Sequence, residues 1–204
     1  MYADVPPDFP STAAAPHSSV GRSSRREALL AEAIRMFAVR GFTSVSLDDI
    51  GAAVGIAGAS IYNHFGSKLE LLETAFDRGT AALYLHLSGA YIEPSENAIL
   101  RKLARTYVQF IVDHPHLIDL QTTEIEHLPE DRRRQARQAQ STYIDEWVHL
   151  LRSVQPDLDP VTARITVHAA LSVANDVART PHLRRNPHVP EAVEQICVQL
   201  LRLP

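Results

Sequence analysis

The stretch Gly58-Ala59-Ser60-Ile61-Tyr62-Asn63-His64-Phe65 gathers a hydroxyl, a phenol, a carboxamide and an imidazole, and Lys68 follows shortly after. Such groups donate to phosphate oxygens or to base edges, and a carboxamide such as Asn63 is able to read adenine. The small residues Gly58 and Ala59 would let the segment approach a duplex closely, with the amides at its start turned to phosphate. The Lys68 ammonium suits a phosphate as a point charge. Arg22, Arg25 and Arg26, a little upstream, could lie along the same backbone or form a solvated basic linker.

Other chemistries are weaker. Glu124-x-x-His127 and Glu146-x-x-His149 repeat the spacing of di-metal carboxylate bundles, so a helical di-metal oxidase is the alternative reading. That chemistry needs both members of each pair facing inward, with two further carboxylates. At a helical period His149 falls about 120° from the face of Tyr143 and Val154, and His127 about 80° from Leu117. His114-Pro115-His116 reads as a helix-ending loop. No nucleophile motif stands out, so neither an enzyme nor a metal or other cofactor is expected. The Arg132, Arg133, Arg134 and Arg137 cluster reads as a solvated face.

Helical periods must position these groups. Ser24 and Glu27 predict a capping box opening a helix with Leu30, Ile34, Phe37 and Ala38 as its apolar stripe, closed by Gly41. Ser46 and Asp49 start a shorter helix carrying Leu47, Ile50 and Val54, and Gly55 supplies a tight turn with a positive φ. A third helix of about seven residues follows from Gly58, locked to the second by Ile50, Val54, Ile56 and Ile61. Ser67 and Glu70 cap a fourth, running towards Tyr91. Further helices are expected from Ser95 to Asp113, from His116 to Leu128, from Pro129 to Val154, from Asp159-Pro160 to Arg179 and from Pro190 to Leu203. The fold class is therefore all-α, with about nine helices.

With 204 residues, 45% of them hydrophobic, the chain can bury a substantial core. Pro6, Pro7, Pro10 and Pro16 among Ser, Thr and Ala predict a disordered arm over residues 1–21. The net charge of −4 argues mildly against a nucleic-acid partner, yet residues 22–68 hold six Arg or Lys against four acids. A lone cysteine, no secretory signal pattern and no apolar run near the ~20 residues that span a bilayer lead to the expectation of a cytoplasmic protein without membrane contact.

The run from Gly41-Phe42 through Val45-Ser46-Leu47-Asp48-Asp49-Ile50-Gly51-Ala52-Ala53-Val54-Gly55-Ile56-Ala57-Gly58-Ala59-Ser60 to Ile61-Tyr62-Asn63-His64-Phe65-Gly66-Ser67-Lys68 closely resembles the TetR family of bacterial regulators. The resemblance implies a helix-turn-helix DNA-binding domain over residues 22–68, with 69–204 binding an effector and forming a homodimer. By position it implies that Ser46, Ser60, Tyr62, His64 and Lys68 contact operator DNA. Gly51 and Val54 stand where the family usually has alanine, a packing change of little expected weight. Ala57 replaces a common capping serine, a loss of roughly 1 kcal/mol at the start of the recognition helix. Gly58 replaces what is often a long polar residue, so base reading there is in question.

In the second half, the run 165–175 is uncharged and apolar nearly all round, as in a helix buried on both sides. With the last helix it predicts a four-helix dimer interface through Val167, Leu171, Val193, Ile196, Cys197 and Leu200. Polar residues set among apolar ones mark a candidate pocket for a small lipophilic or acyl-type effector: Gln121 and Glu124 beside Phe110 and Leu117, and Asn175 beside Leu171, with Tyr143 and Trp147 on a facing helix.

Overall fold

The helical periods become nine α-helices and two 3-10 turns in the computed structural model, which describes residues 17–203, with no strand among the described residues. The order is α1 (His17–Arg40), α2 (Leu47–Ala53), the 3-10 turn η1 (Gly58–Asn63), α3 (Lys68–Ala90), α4 (Glu96–Asp113), α5 (Pro115–Thr123), the 3-10 turn η2 (Ile125–His127), α6 (Glu130–Val154), α7 (Pro160–Arg179), α8 (Pro181–Arg184) and α9 (Val189–Leu200).

Side-chain caps set several starts. The Ser46 hydroxyl accepts from Asp49 N at 3.1 Å while Asp49 Oδ2 accepts from Ser46 N at 2.9 Å, a complete capping box. These bonds hold the Asp49 carboxyl below its ordinary range. Ser67 accepts from Glu70 N at 3.0 Å, but the Glu70 carboxylate returns to Gly66 N at 2.6 Å, one residue earlier than a capping box requires. Ser95 opens α4, and Asp159 opens α7 by accepting from Val161 N and Thr162 N. Gly41 and Gly55, at φ +81° and +76°, make the two turns that L side chains would strain.

Three expectations need correction. The arm over residues 1–21 falls partly outside the described residues, and 17–21 already belong to α1. Ser24 and Glu27 therefore sit inside a helix, where no free amide remains to cap, and Glu27 pairs with Arg78 of α3 instead. The helix expected from His116 to Leu128 stops at Thr123, where Glu124 becomes its C-cap and η2 follows.

The N-terminal bundle closes over Leu29, Leu30, Ala33, Phe37, Val45, Ile50, Ile61, Phe65, Leu71 and Leu72. Fully burying a side chain such as Phe37 contributes about 1.5–3 kcal/mol. α1 also packs against α5, seating this bundle on the rest of the chain, where α4 lies among α3, α6, α7 and α9, and α7 packs on both α6 and α9.

Between α2 and η1 the backbones nearly touch. A Cβ on Gly51 would stand 2.8 Å from Ile56 O, and one on Gly58 would stand 2.9 Å from Asp48 Cα. Gly51 is thus required by the crossing, not a neutral packing change, and buried Gly58 faces α2 instead of opening a path to DNA. Gly58→Ala should cost about 1–3 kcal/mol through overpacking, measured by urea unfolding. Gly89→Ala, whose Cβ meets open space late in α3, should leave stability equal or raised.

Candidate nucleic-acid interface and effector cavity

η1 follows α2 after a short turn and exposes one side. Tyr62 is 61% exposed, Ala59 and Asn63 are also exposed, and Ser60 is half-buried. Ile61 and Phe65 point the other way and are buried. The segment is a 3-10 turn of six residues, tighter and shorter than the α-helix expected, and Ala57 offers no side-chain cap. His64 is half-buried, with its Nδ1 enclosed and unpartnered. Ser46 is exposed at the start of α2, though its hydroxyl also donates to Asp49 Oδ2 at 2.8 Å.

Lys68 differs most from its expected role as a point charge for phosphate. Its Nζ donates to Phe42 O at 2.7 Å and to Val45 O at 2.8 Å, and lies 4.3 Å from the centre of the Phe42 ring. One of the three ammonium hydrogens remains for any outside acceptor. Arg25 and Arg26 also hold onto the bundle from its surface: Arg25 donates to Val54 O at 3.0 Å, and Arg26 lies 4.3 Å over the Phe65 ring.

Phe42, in the turn between α1 and α2, is held from both sides. Its N–H donates to Glu124 Oε2 at 2.9 Å, and its ring meets Phe37 edge-to-face and lies tilted against His127. Glu124 is only 6% exposed and also lies 3.5 Å from His127 Nε2. Expected on a pocket wall, this carboxylate instead ties the end of α5 to the N-terminal bundle. That use also takes it away from any metal, and Glu146 and His149 stay on the outer side of α6, His149 exposed. Among the described residues no three His, Cys, Asp or Glu gather at metal-binding distance.

A cavity of about 330 Å³ opens between α3, α4, α5, α6 and α7. Of the expected pocket residues, Gln121, Tyr143, Leu171 and Asn175 line it. Gln121 donates to Phe76 O at 3.1 Å, a reach made possible because Gly79 of α3 has no side chain there. Asn175 Oδ1 accepts from the Tyr107 hydroxyl at 2.8 Å. Burial pushes the Tyr107 and Tyr143 phenols well above their ordinary range, so both stay protonated. Trp147, 1% exposed, lies behind the wall against both tyrosines. Phe110 and Leu117 miss this cavity and line a second of about 330 Å³ under α1, beside His114 and His116. Sequence reasoning missed Tyr107, although it recurs with Leu100, Leu103 and Phe110 on one apolar stripe of α4 and carries a polar tip.

The expected dimer face is corrected as well. Val167, Leu171, Val193 and Cys197 are buried within the chain itself, because α7 packs on α9. The Cys197 thiol donates to Ala170 O, and burial pushes its pKa up to about 11. Ile196, 41% exposed, and half-buried Leu200 remain accessible, and α7 presents Val161 and Ile165 outward, the latter 63% exposed.

Residues 29–75 match the family of bacterial regulatory proteins designated tetR, and residues 93–179 match the tetracyclin repressor-like C-terminal domain. Over 118 residues the chain is 31% identical to the HTH-type transcriptional repressor KstR2 of Rhodococcus jostii (strain RHA1), covering 55% of this chain and 56% of that protein. The chain thus aligns with little more than half of that relative's length. A TetR-family transcriptional regulator from Bordetella parapertussis 12822 shares the fold at a TM-score of 0.79 and 19% identity, over 87% of this chain and 93% of that one. The ketosteroid transcriptional regulator KstR2 of Mycobacterium tuberculosis does so at a TM-score of 0.76 and 21% identity, over 87% and 93%. No described helix is long and apolar enough to cross a membrane. The matched residues include the whole α2–η1 unit and most of the helices around the cavity, and the chain belongs to the TetR family of bacterial regulatory proteins.

Proposed function

We propose that this chain is a homodimeric repressor that holds operator DNA through residues 22–68 and releases it when a small apolar effector enters the body formed by residues 69–204. The observation that carries the reading is the α2–η1 crossing, which buries Ile61 and turns Tyr62 and Asn63 outward on a rigid support. Tyr62, Asn63 and Ser60 donate to phosphates or bases, Ala59 lets the duplex approach, and Ser46 faces the backbone from the start of α2. His64 and the remaining hydrogen of Lys68 complete the contacts. Such a protein works in the cytoplasm, beside its DNA.

One short recognition element reaches too few bases for selectivity, so two copies are required. Val161 and Ile165 on α7 and Ile196 on α9 are exposed apolar side chains, and their exposure supports pairing through these helices. The effector enters the cavity lined by Gln121, Tyr143, Leu171 and Asn175, whose partly apolar wall suits a lipophilic molecule; the name ketosteroid regulator, carried by a protein of the same fold, agrees with that class. Coupling runs through α5: Gln121 and Thr122 stand on the cavity, and Glu124 holds Phe42 in the DNA-binding bundle. An effector that binds one position of α5 better than the other shifts the angle of the two recognition elements.

Tyr62→Ala should weaken binding to an operator fragment about tenfold or more in a fluorescence-anisotropy titration, with the helical circular dichroism unchanged. Unaltered affinity would remove Tyr62 from the interface. Glu124→Ala leaves the Phe42 amide without its charged acceptor and should cost about 1.5–3 kcal/mol in urea unfolding. A neutral result would mean that this bond does not join the two parts.

A further inference from the structure

We infer that the effector carries a carboxylate on an otherwise apolar body, which fills the inner part of the cavity while Arg137 holds the carboxylate at the mouth. The inference rests on the reading of this cavity as the effector site and adds the chemistry of the molecule that fits it.

The lining of the cavity divides by exposure. Ile118, Leu171, Tyr107 and Tyr143 are buried and Leu83 and Ile144 half-buried, whereas Thr122 of α5, Arg137 of α6 and His168 and Ser172 of α7 are exposed. An occupant therefore meets aliphatic and aromatic surface where water is excluded, and polar groups where water is admitted. Further in, Tyr107 already donates to Asn175, and Gln121 donates to Phe76 O and accepts from Gln140. Arg137 keeps donors in reserve: its Nη2 donates to Glu126, while Nη1 and Nε have no acceptor among the described residues. Glu126 also accepts from Arg133, so one carboxylate serves two guanidiniums. A guanidinium edge left to solvent takes a carboxylate through paired, charge-assisted hydrogen bonds. No Asp or Glu lines the cavity, so a cation would meet Arg137 without an offsetting charge.

Equilibrium dialysis at neutral pH with three probes of equal chain length tests this: decanoate, decan-1-ol and decylamine. Decanoate should bind about tenfold more tightly than the alcohol, the increment of a charge-assisted contact at a solvated mouth, and the protonated amine should bind weakest. Arg137→Gln should bring decanoate down to the affinity of the alcohol and leave the alcohol unchanged. Arg137→Lys, which keeps the charge without the planar edge, should retain part of the preference. Arg134→Gln removes the same charge from an exposed neighbour that does not line the cavity, and should leave both affinities as they were. Ile144→Trp, which fills the inner part, should weaken acid and alcohol alike. Equal affinities for acid and alcohol, preference for the amine, a preference that survives Arg137→Gln, or one lost equally in Arg134→Gln would each overturn the inference and leave the cavity standing as an effector site. Binding of none of the three, or binding indifferent to Ile144→Trp, would overturn the inference together with the reading of the cavity.

Discussion

A carboxylate buried at the end of α5 joins the two halves of this protein. Glu124 is removed from water, and a charge so placed is tolerated only where hydrogen bonds replace its hydration. The firm bond comes from the Phe42 amide at 2.9 Å; the Thr123 hydroxyl lies at 3.1 Å but shares its one hydrogen with Asp119 O, and His127 stands alongside. Phe42 is itself the turn between α1 and α2, and its carbonyl accepts from Lys68 at the start of α3. One backbone unit is therefore gripped by α5, α3 and the aromatic side chains around it. The N-terminal bundle rests on α5, and the last turn of that helix also forms part of the cavity wall.

The second constraint is steric. α2 and η1 approach until only glycine fits at positions 51 and 58, and this contact fixes the outward direction of Tyr62 and Asn63. The two constraints act in series: Glu124 sets where the bundle sits, and the glycines set how its reading face is presented. On the proposed function, a small displacement of α5 would be carried to the DNA surface by a rigid unit.

Much of this was legible in the sequence because it depends on local rules. Ser46, Ser95 and Asp159 cap the helices that their spacing predicts, and Gly55 takes the positive φ its turn requires. What stayed hidden depends on long-range placement. Val167 and Cys197 lie on apolar helix faces, but periodicity cannot distinguish burial in the chain's own core from burial against a partner, and here α7 covers α9. Glu124 and Gln121 share one stripe of α5 and look equivalent, yet one reaches Phe42 and the other lines the cavity. The use of Lys68 on two carbonyls, and the 3-10 form of the recognition segment, arise from the same close packing and have no signal in residue spacing.

The proposed function requires a pair of reading faces set on one duplex by a shared, adjustable support. Nuclease footprinting on the DNA flanking the coding region tests this most directly. The account predicts two protected half-sites related by a partial palindrome, centred about one helical turn or more apart. Protection of a single site without dyad symmetry, or none at concentrations where the protein is dimeric, would contradict it.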